Sequence, residues 1–245
     1  MVCGLFLVLP SAGHPAGTCP VDHDQLLHAL KLSVKPSGGP SNGGFDNNEW
    51  AAVVNRQGAR CAIAFSGEKP DAQWPGSRAI AMEKANTANG FSTSNMALST
   101  ANLFAPAQPG QEFYGAVTTN PPSAEIGAGD PTKFGSAADP MLGKPVGGVV
   151  VFGGGLALYD GNDIVGALGV SGDSSCADHN VAWRIRKAVS LDKVPAGVDP
   201  QTKDGIIYDV GVDGKSASGF GHVTCRDNAP KVAEQIGAGH QFVGQ

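Results

Sequence analysis

The stretch "LALYDGNDIVGALGVSGDSSCADHNVA", residues 156–182, decides the fold. It holds two apolar runs on either side of the tetrapeptide Asp160–Asp163, whose composition is typical of a hairpin turn. A helix is expected to follow from Asp178 to about Ser190, with Ser175 or Asp178 as its N-cap. The stretch therefore predicts an antiparallel β-hairpin followed closely by a helix.

Part of this stretch resembles the Gly-x-Ser-x-Gly motif of serine hydrolases. Residues 169–173, "GVSGD", lack the final glycine, and the predicted helix begins too late to follow the strand directly. We therefore interpret Ser171 as a residue at a turning strand end and assign no catalytic residue. Gly169 and Gly172 are expected to permit close approach of another backbone or of a ligand.

The rest of the chain predicts further helices and strands around this hairpin. The predicted segments are helices at 19–34, 76–91 and about 93–104, a hairpin at 50–65 and a strand at 205–212. Residues 105–147 are rich in Pro and Gly and lack periodicity, and 116–147 has the composition of an inserted loop. Because strands and helices do not alternate regularly, we expect an α+β fold rather than a Rossmann sheet.

Composition excludes several functional classes. The chain has 245 residues, 41% hydrophobic and 16% charged, with a net charge of −5. No basic patch with interleaved aromatic residues is present in the sequence, so we expect no nucleic-acid partner. The glycines at 153–155 are not followed by Gly-Lys-Ser/Thr, which argues against a phosphate-binding loop.

The N-terminus and the cysteines indicate export. Residues 1–16 are predicted to be a signal peptide, and their apolar run is shorter than the roughly 20 residues of a membrane span. We therefore expect a secreted or periplasmic protein with no membrane span. If Cys3 is removed with this segment, four cysteines remain, and an even number favours disulfides.

The four remaining cysteines allow more than one interpretation. We predict the disulfides Cys19–Cys61 and Cys176–Cys225, because the first helix must pack on the strand that holds Cys61. The alternative for the second pair is a zinc site, since Cys176-x₂-His179 and His222-x₂-Cys225 offer two thiols and two imidazoles. Export favours the disulfide, so we assign no metal ion.

The Ala-rich helix at 76–91 carries a mixed face. Lys84, Thr87 and Phe91 lie on one side of it, at spacings that bring a cation, a hydroxyl and an aromatic ring together. Such a face suits a planar anionic ligand. The alternative is a helix whose alanines simply pack against the sheet.

Three segments in order resemble one known family. They are "KANTANGF" (84–91), "APAQPGQEFYG" (105–115) and "VVVFGGGLALYDGNDIVGALGVSGDSSCADHNVA" (149–182). Over about residues 22–190 the chain resembles the GlcG/HbpS-type haem-binding family, in a secreted, cysteine-containing form. Two departures are a missing proline at Leu156–Ala157 and a longer segment at 116–147.

The resemblance implies a fold and an assembly. It implies a profilin-like α+β fold, with a central antiparallel sheet of about five strands flanked by helices. Residues 17–190 would form this domain, 116–147 would be a loop insertion, and 191–245 would be a C-terminal extension packed on the same domain. The family also implies a homo-oligomer.

The resemblance further implies a ligand and its contacts. We expect haem b, held non-covalently because the sequence has no C-x-x-C-H attachment motif, between the helix at 76–91 and the hairpin at 149–171. Lys84 would contact a propionate, Thr87 would lie near the iron, and Phe91 would pack on the ring. His179 is an alternative axial ligand, and Asp178 matches the acidic residue of the family at its helix start.

The implied role is haem or iron handling or protection against oxidative stress, and whether the protein is also an enzyme that degrades haem is left open. Two alternatives belong to other classes. One is a non-catalytic oligomeric module that binds a small carboxylate or a partner protein. The other is a weak enzyme acting on small hydroxy acids. Neither alternative requires haem.

Overall fold

The computed structural model of the protein describes residues 17–226 and 228–241. The predicted signal peptide at 1–16 lies outside the described residues. The α-helices are α1 (His23–Ser33), α2 (Ser77–Phe91), α3 (Ala116–Thr119), α4 (Ser175–Ala188) and α5 (Ala229–Ile236). The strands are β1 (Trp50–Asn55), β2 (Arg60–Phe65), β3 (Gly155–Asp160), β4 (Asp163–Ser171), β5 (Ile206–Tyr208) and β6 (Gly239–Gln241).

The two predicted hairpins join into one antiparallel sheet of order β2-β1-β4-β3. In the central pair, Trp50 lies opposite Ser171 and Asn55 lies opposite Gly166. β3 and β4 are connected by the predicted turn, with Asp160 opposite Asp163. This register aligns the end of β4 with the start of β1, so that residues following β4 meet residues preceding β1.

The prediction of about five strands in the central sheet is corrected to four among the described residues. The predicted strand at 205–212 exists only as β5, and its backbone pairs in parallel with β6. These two strands form a small second sheet whose apolar residues pack against Cys176 and helix α5. The local composition of 205–212 correctly favoured a strand but contained no information about its partner.

Helices cover both faces of the central sheet. Because side chains alternate along a strand, Val53 packs with α1 and α4, whereas Ala52 and Val54 pack with α2. The N-cap of helix α1 is Asp22, which forms a reciprocal capping box with Gln25. The fold is therefore α+β, with a sheet flanked by helices, as predicted.

The segment at 116–147 packs against the core instead of extending into solvent. Its residues Ile126, Met141 and Val146 join the apolar cluster between α2 and the sheet. The buried Arg78 forms an ion pair with Asp139 of the segment. The segment therefore covers the N-terminal half of α2. The helix expected at about 93–104 is absent from these described residues, which form turns followed by a short 3₁₀ helix at Ala105–Ala107.

Two disulfides and one buried ion pair tie the outer segments to the core. Cys19 is bonded to Cys61 and Cys176 is bonded to Cys225, the two pairs expected from the sequence. Arg186 of α4 makes a two-point ion pair with Asp204, at 2.6 and 2.9 Å, and both side chains are almost fully buried. Within the described residues, no helix is long and apolar enough to cross a membrane.

Candidate functional site at the end of strand β4

The glycines of β4 let helix α2 lie unusually close to the sheet. A Cβ atom on Gly169 would overlap the backbone oxygen of Ala81 and approach the backbone nitrogen of Ala85 to 2.5 Å. A Cβ on Gly172 would come within 2.6 Å of the backbone oxygen of Asn48. The close approach expected at these glycines is therefore to protein backbone, and it brings the side chain of Lys84 to the end of β4.

Lys84 connects three elements at this point. Its Nζ donates to Asp178 Oδ2 at 2.6 Å and to the backbone oxygen of Val170 at 2.9 Å. Lys84 has no exposed surface, and Asp178 is nearly as buried. Lys84 of α2 and Asp178 of α4, which both match the sequence pattern described above, therefore form one internal ion pair across the end of β4.

Further carboxylates surround this ion pair. Asp178 Oδ1 accepts a hydrogen bond from the backbone nitrogen of Asp173 at 2.9 Å. Asp173 in turn accepts from the backbone nitrogens of Phe45 and Asn47. Glu49, the residue before β1, is also buried, and its Oε2 has no hydrogen-bond partner among the described residues. The site thus gathers three carboxylates and one lysine.

Burial sets the protonation of these groups. Removal from water raises the pKa of Glu49 well above its ordinary value, and the neighbouring Asp178 and Asp173 raise it further. Burial also raises the pKa of Asp178 to about 6, although the charge of Lys84 acts in the opposite direction. Glu49 therefore keeps its proton to a higher pH than an exposed glutamate does, because burial and the neighbouring carboxylates raise its pKa.

Thr87 ties α2 to the segment that precedes β3. Its hydroxyl donates to the backbone oxygen of Glu83 at 2.8 Å and accepts from the backbone nitrogen of Val150 at 2.9 Å. The segment that starts at Val150 then carries Phe152, whose ring centroid is 4.9 Å from Lys84 Nζ and which is 37% exposed. Lys84 therefore lies beneath a partly exposed aromatic side chain, and Thr87 holds the segment that leads to it.

Phe91 lies one turn beyond Thr87, at the C-terminal end of α2. Its ring contacts the ring of Phe113 edge-to-face, with centroids 5.6 Å apart. Tyr114, next to Phe113, is 65% exposed. Aromatic side chains therefore border α2 at two places, with Phe152 at Lys84 and Phe113 at Phe91.

Two histidines are buried near the start of α4. Neither ring nitrogen of His179 has a hydrogen-bond partner of ordinary geometry among the described residues, and burial lowers its pKa to about 3. His222 Nδ1 donates to the backbone oxygen of Val223 at 2.7 Å, while Nε2 accepts from the backbone nitrogen of Gly153 at 3.2 Å. Burial lowers the pKa of His222 to about 4, so both imidazoles are neutral.

The four residues predicted to contact haem occupy different environments. Phe91 is half-buried and borders the aromatic surface, whereas Lys84, Thr87 and His179 are buried. The polar atoms of Lys84 and Thr87 are already used in internal hydrogen bonds, so they do not fit direct contact with a propionate or with iron. His179 has the right chemistry for an iron ligand, a neutral imidazole with a lone pair, but Gly153 lies against its Cβ atom.

The sequence did not point to Glu49, His222 or Phe152 as members of this region. Glu49 is separated from Asp178 by most of the domain, and only the β1–β4 register brings them together. His222 was considered only as a possible zinc ligand. The one signal for Phe152 was its place beside the glycines at 153–155, a composition that allows close approach to α4.

Comparisons with known proteins place this geometry in context. The family model HbpS-like, described as "Haem degrading protein HbpS-like", matches residues 47–186. No curated protein matches the chain.

Solved structures that are similar to the chain include Klebsiella pneumoniae protein ORFY, with 21% identity, TM-score 0.46, and coverage of 68% of this chain and 86% of that one. A PduOC complex with haem has 22% identity, TM-score 0.47, and coverage of 70% and 94%. A double mutant of Streptomyces reticuli HbpS has 18% identity, TM-score 0.41, and coverage of 76% and 94%. Because the family model spans residues 47–186, more than half of the 245, the chain belongs to the HbpS-like family.

Proposed function

We propose that this chain is an exported protein that binds haem b non-covalently, as a homo-oligomer with a profilin-like domain, in haem or iron handling or protection against oxidative stress. Membership in the HbpS-like family supports haem as the ligand. Two disulfides support an oxidising compartment. The bound haem would supply a redox-active iron.

The observation that carries the proposal is the position of Phe152. Its ring is partly exposed, and it lies directly over Lys84 in the region that the family sequence pattern marks. The Phe91–Phe113 pair lies at the C-terminal end of the same helix, and we propose that a flat macrocycle packs on Phe152 and reaches this pair. This aromatic surface, Phe91, Phe113 and Phe152, is the proposed haem-binding surface.

In this proposal Lys84 and Thr87 do not contact haem but position the segment that does. Thr87 holds the backbone of Val150, and Lys84 holds the end of β4, so together they fix the segment that carries Phe152. His179 is the proposed axial ligand. Since His179 is fully buried and Gly153 packs near its Cβ atom, ligation requires the glycine-rich segment 153–155 to move when haem enters.

The test is a titration of the purified, haem-free protein with haemin, followed by the Soret band. We expect a Soret shift at micromolar haemin that saturates. Phe152→Ala should weaken binding at least about tenfold, because it removes most of one packing ring. His179→Leu should change the position of the Soret band, because the axial ligand is lost.

Trp74→Ala is the matched control. Trp74 is also an exposed aromatic residue, 51% accessible, but it precedes the opposite end of α2. A 15-residue helix separates it from Phe91, about 22 Å along the axis. Its removal should leave the titration unchanged. Absence of any Soret shift in the folded protein would refute haem binding and favour the module that binds a carboxylate or a partner protein.

A further inference from the structure

We propose that reduction of the Cys176–Cys225 disulfide creates a zinc site from Cys176, Cys225 and His222. This inference is independent of haem binding. It starts from the two cysteine–histidine pairs in the sequence. The structure brings together three of those four residues and leaves out His179, and the potential ligand atoms of the three all lie within 4.8 Å of one another.

The distances suit a tetrahedral metal once the sulfur–sulfur bond is broken. Ligand atoms around zinc lie roughly 3.3–3.8 Å apart, given Zn–S of about 2.3 Å and Zn–N of about 2.0 Å. Here Cys176 Sγ is 3.9 Å from Nδ1 of the His222 ring. Ser175 Oγ is 3.2 Å from Cys225 Sγ and 3.4 Å from His222 Nε2. Once the disulfide is broken, side-chain rotation can bring the two sulfurs and the imidazole around one ion, with Ser175 or a water at the fourth position.

The histidine is prepared as a ligand. A carbonyl oxygen can only accept, so the hydrogen bond to Val223 places the proton of His222 on Nδ1 and leaves a lone pair on Nε2. That lone pair accepts from the backbone nitrogen of Gly153 at 3.2 Å, and a metal ion would replace this hydrogen bond. Metal-binding histidines generally donate their other ring nitrogen to a carbonyl or carboxylate in this way. His222 is also only 1% exposed, so bulk water has little access to the ligand nitrogen.

The two sulfurs are placed to be stabilised as thiolates. Cys176 is in the first turn of α4, after the N-cap Ser174, where the helix dipole favours negative charge. The backbone nitrogen of Cys225 donates to Cys176 Sγ at 3.3 Å, and that of Cys176 donates to Cys225 Sγ at 3.2 Å. Thiolates are the form that binds zinc.

The disulfide is accessible from one side only. Cys176 is fully buried, but Cys225 is partly exposed and lines a polar cleft with Lys35, Asp46 and Arg226. A thiolate of a dithiol reductant can therefore bond to Cys225 Sγ. The Cys176–Cys225 bond then breaks, and its electron pair stays on Cys176 Sγ.

The second thiolate of the reductant completes the reduction. It attacks the sulfur of the reductant that is bonded to Cys225, releases Cys225 as a thiolate, and converts the reductant to its own disulfide. The two electrons thus pass from the dithiol to the protein. Zn²⁺ then binds the two thiolates and the neutral imidazole, and any remaining thiol proton is released to solvent.

The experiment compares haem-free protein before and after reduction with dithiothreitol, which is removed under inert atmosphere. Co²⁺ serves as the optical probe, and Zn²⁺ is then used to displace it. We expect no binding to the oxidised protein. The reduced protein should bind about one equivalent of Co²⁺, with thiolate-to-metal charge-transfer absorption and the intense visible bands of a tetrahedral ion.

Variants identify the ligands. His222→Gln and Cys225→Ser should each weaken binding by at least about tenfold. His28→Gln removes an exposed imidazole elsewhere and should leave binding unchanged. The double variant Cys19→Ser/Cys61→Ser removes the other disulfide and should still bind about one equivalent after reduction.

Circular dichroism of the oxidised variants establishes that they fold, and the wild-type comparison of the two redox states requires no variant. Reduced wild-type protein without thiolate charge-transfer bands would overturn the proposal. So would a folded His222→Gln variant that binds as tightly as wild type. Neither result affects the haemin titration, so failure of the zinc site and failure of haem binding are separable.

Discussion

Lys84 Nζ lies 2.6 Å from Asp178 Oδ2, and this contact joins α2 to the start of α4 across the end of β4. Both side chains are almost completely removed from water. Removing one partner of such a pair leaves the other as an uncompensated buried charge. The contact therefore makes the two residues interdependent, whatever ligand the neighbouring surface binds.

A double-mutant cycle measures this dependence. Asp178→Asn should lower the free energy of unfolding by about 3–5 kcal/mol near pH 7, because the cation of Lys84 is left buried. Lys84→Met should cost a similar amount by exposing the carboxylate of Asp178 to an apolar environment. The double variant should lose much less than the sum. Urea unfolding gives all four values, and strictly additive losses would mean that the pair is not coupled.

The close contact between α2 and β4 predicts opposite effects for two glycines. Gly169→Ala should destabilise the protein by about 1–3 kcal/mol or more, because its Cβ would overlap the backbone of Ala81 and the helix must shift. Gly90→Ala lies in α2 itself, is exposed, and has no neighbouring atom within 4 Å of the new Cβ. It should stabilise the protein by up to about 1 kcal/mol.

Thermal unfolding of both variants provides the check. Each substitution adds one methyl group to a glycine, so the comparison isolates the space available at each position. Equal effects of the two substitutions would contradict close packing of Ala81 against Gly169. A gain of stability at Gly169 would do the same.

Local sequence signals were sufficient for the hairpins and the main helices. The Asp160–Asp163 turn lies where it was predicted, and it depends only on residues within the hairpin. The capping box of Asp22 and Gln25 is likewise a local interaction. The helix expected at about 93–104 does not form, and the reason is also local. Its Ser, Thr and Asn side chains bond to nearby backbone, as Thr93 and Asn102 do here, and stabilise turns instead.

The candidate site was predictable only in part, because it depends on contacts between distant residues. The sequence pointed to Lys84, Thr87 and Phe91 as one helix face, and that spacing is correct. It could not show that Lys84 is neutralised by Asp178, which is 94 positions away. Nor could it show that Glu49 is brought beside both of them by the pairing of β1 with β4.

The disulfide between Cys19 and Cys61 predicts a measurable loss of stability when it is removed. The two residues are 42 positions apart, and a closed loop of that length is worth about 4 kcal/mol in the chain-entropy model. Cys19→Ala/Cys61→Ala should therefore lower the free energy of unfolding by about that amount. The fold itself should persist, since Leu26 and Leu30 of α1 remain buried in the core. Urea unfolding under oxidising conditions measures the loss, and an unchanged midpoint would contradict the prediction.

Acid sensitivity should come partly from His179. Its pKa in the folded protein is about 3, below its ordinary value of 6.5, so the unfolded chain binds more protons between these values. Stability from this group is therefore complete above pH 6.5 and is lost as the pH falls towards 3. The buried Asp178 and Glu49 act with the opposite sign, because their raised pKa values make stability fall as the pH rises.

A single substitution separates the histidine contribution from that of the carboxylates. His179→Leu should gain about 2 kcal/mol relative to wild type near pH 5, because leucine has no proton to bind. Near pH 7 it should be neutral or slightly stabilising, since it removes ring nitrogens that lack ordinary hydrogen bonds. The exposed His28→Gln is the control for removal of a surface imidazole. Urea unfolding of the three proteins between pH 5 and 7 measures these free energies. If the difference between His179→Leu and wild type did not grow as the pH falls, the burial of a neutral His179 would be contradicted.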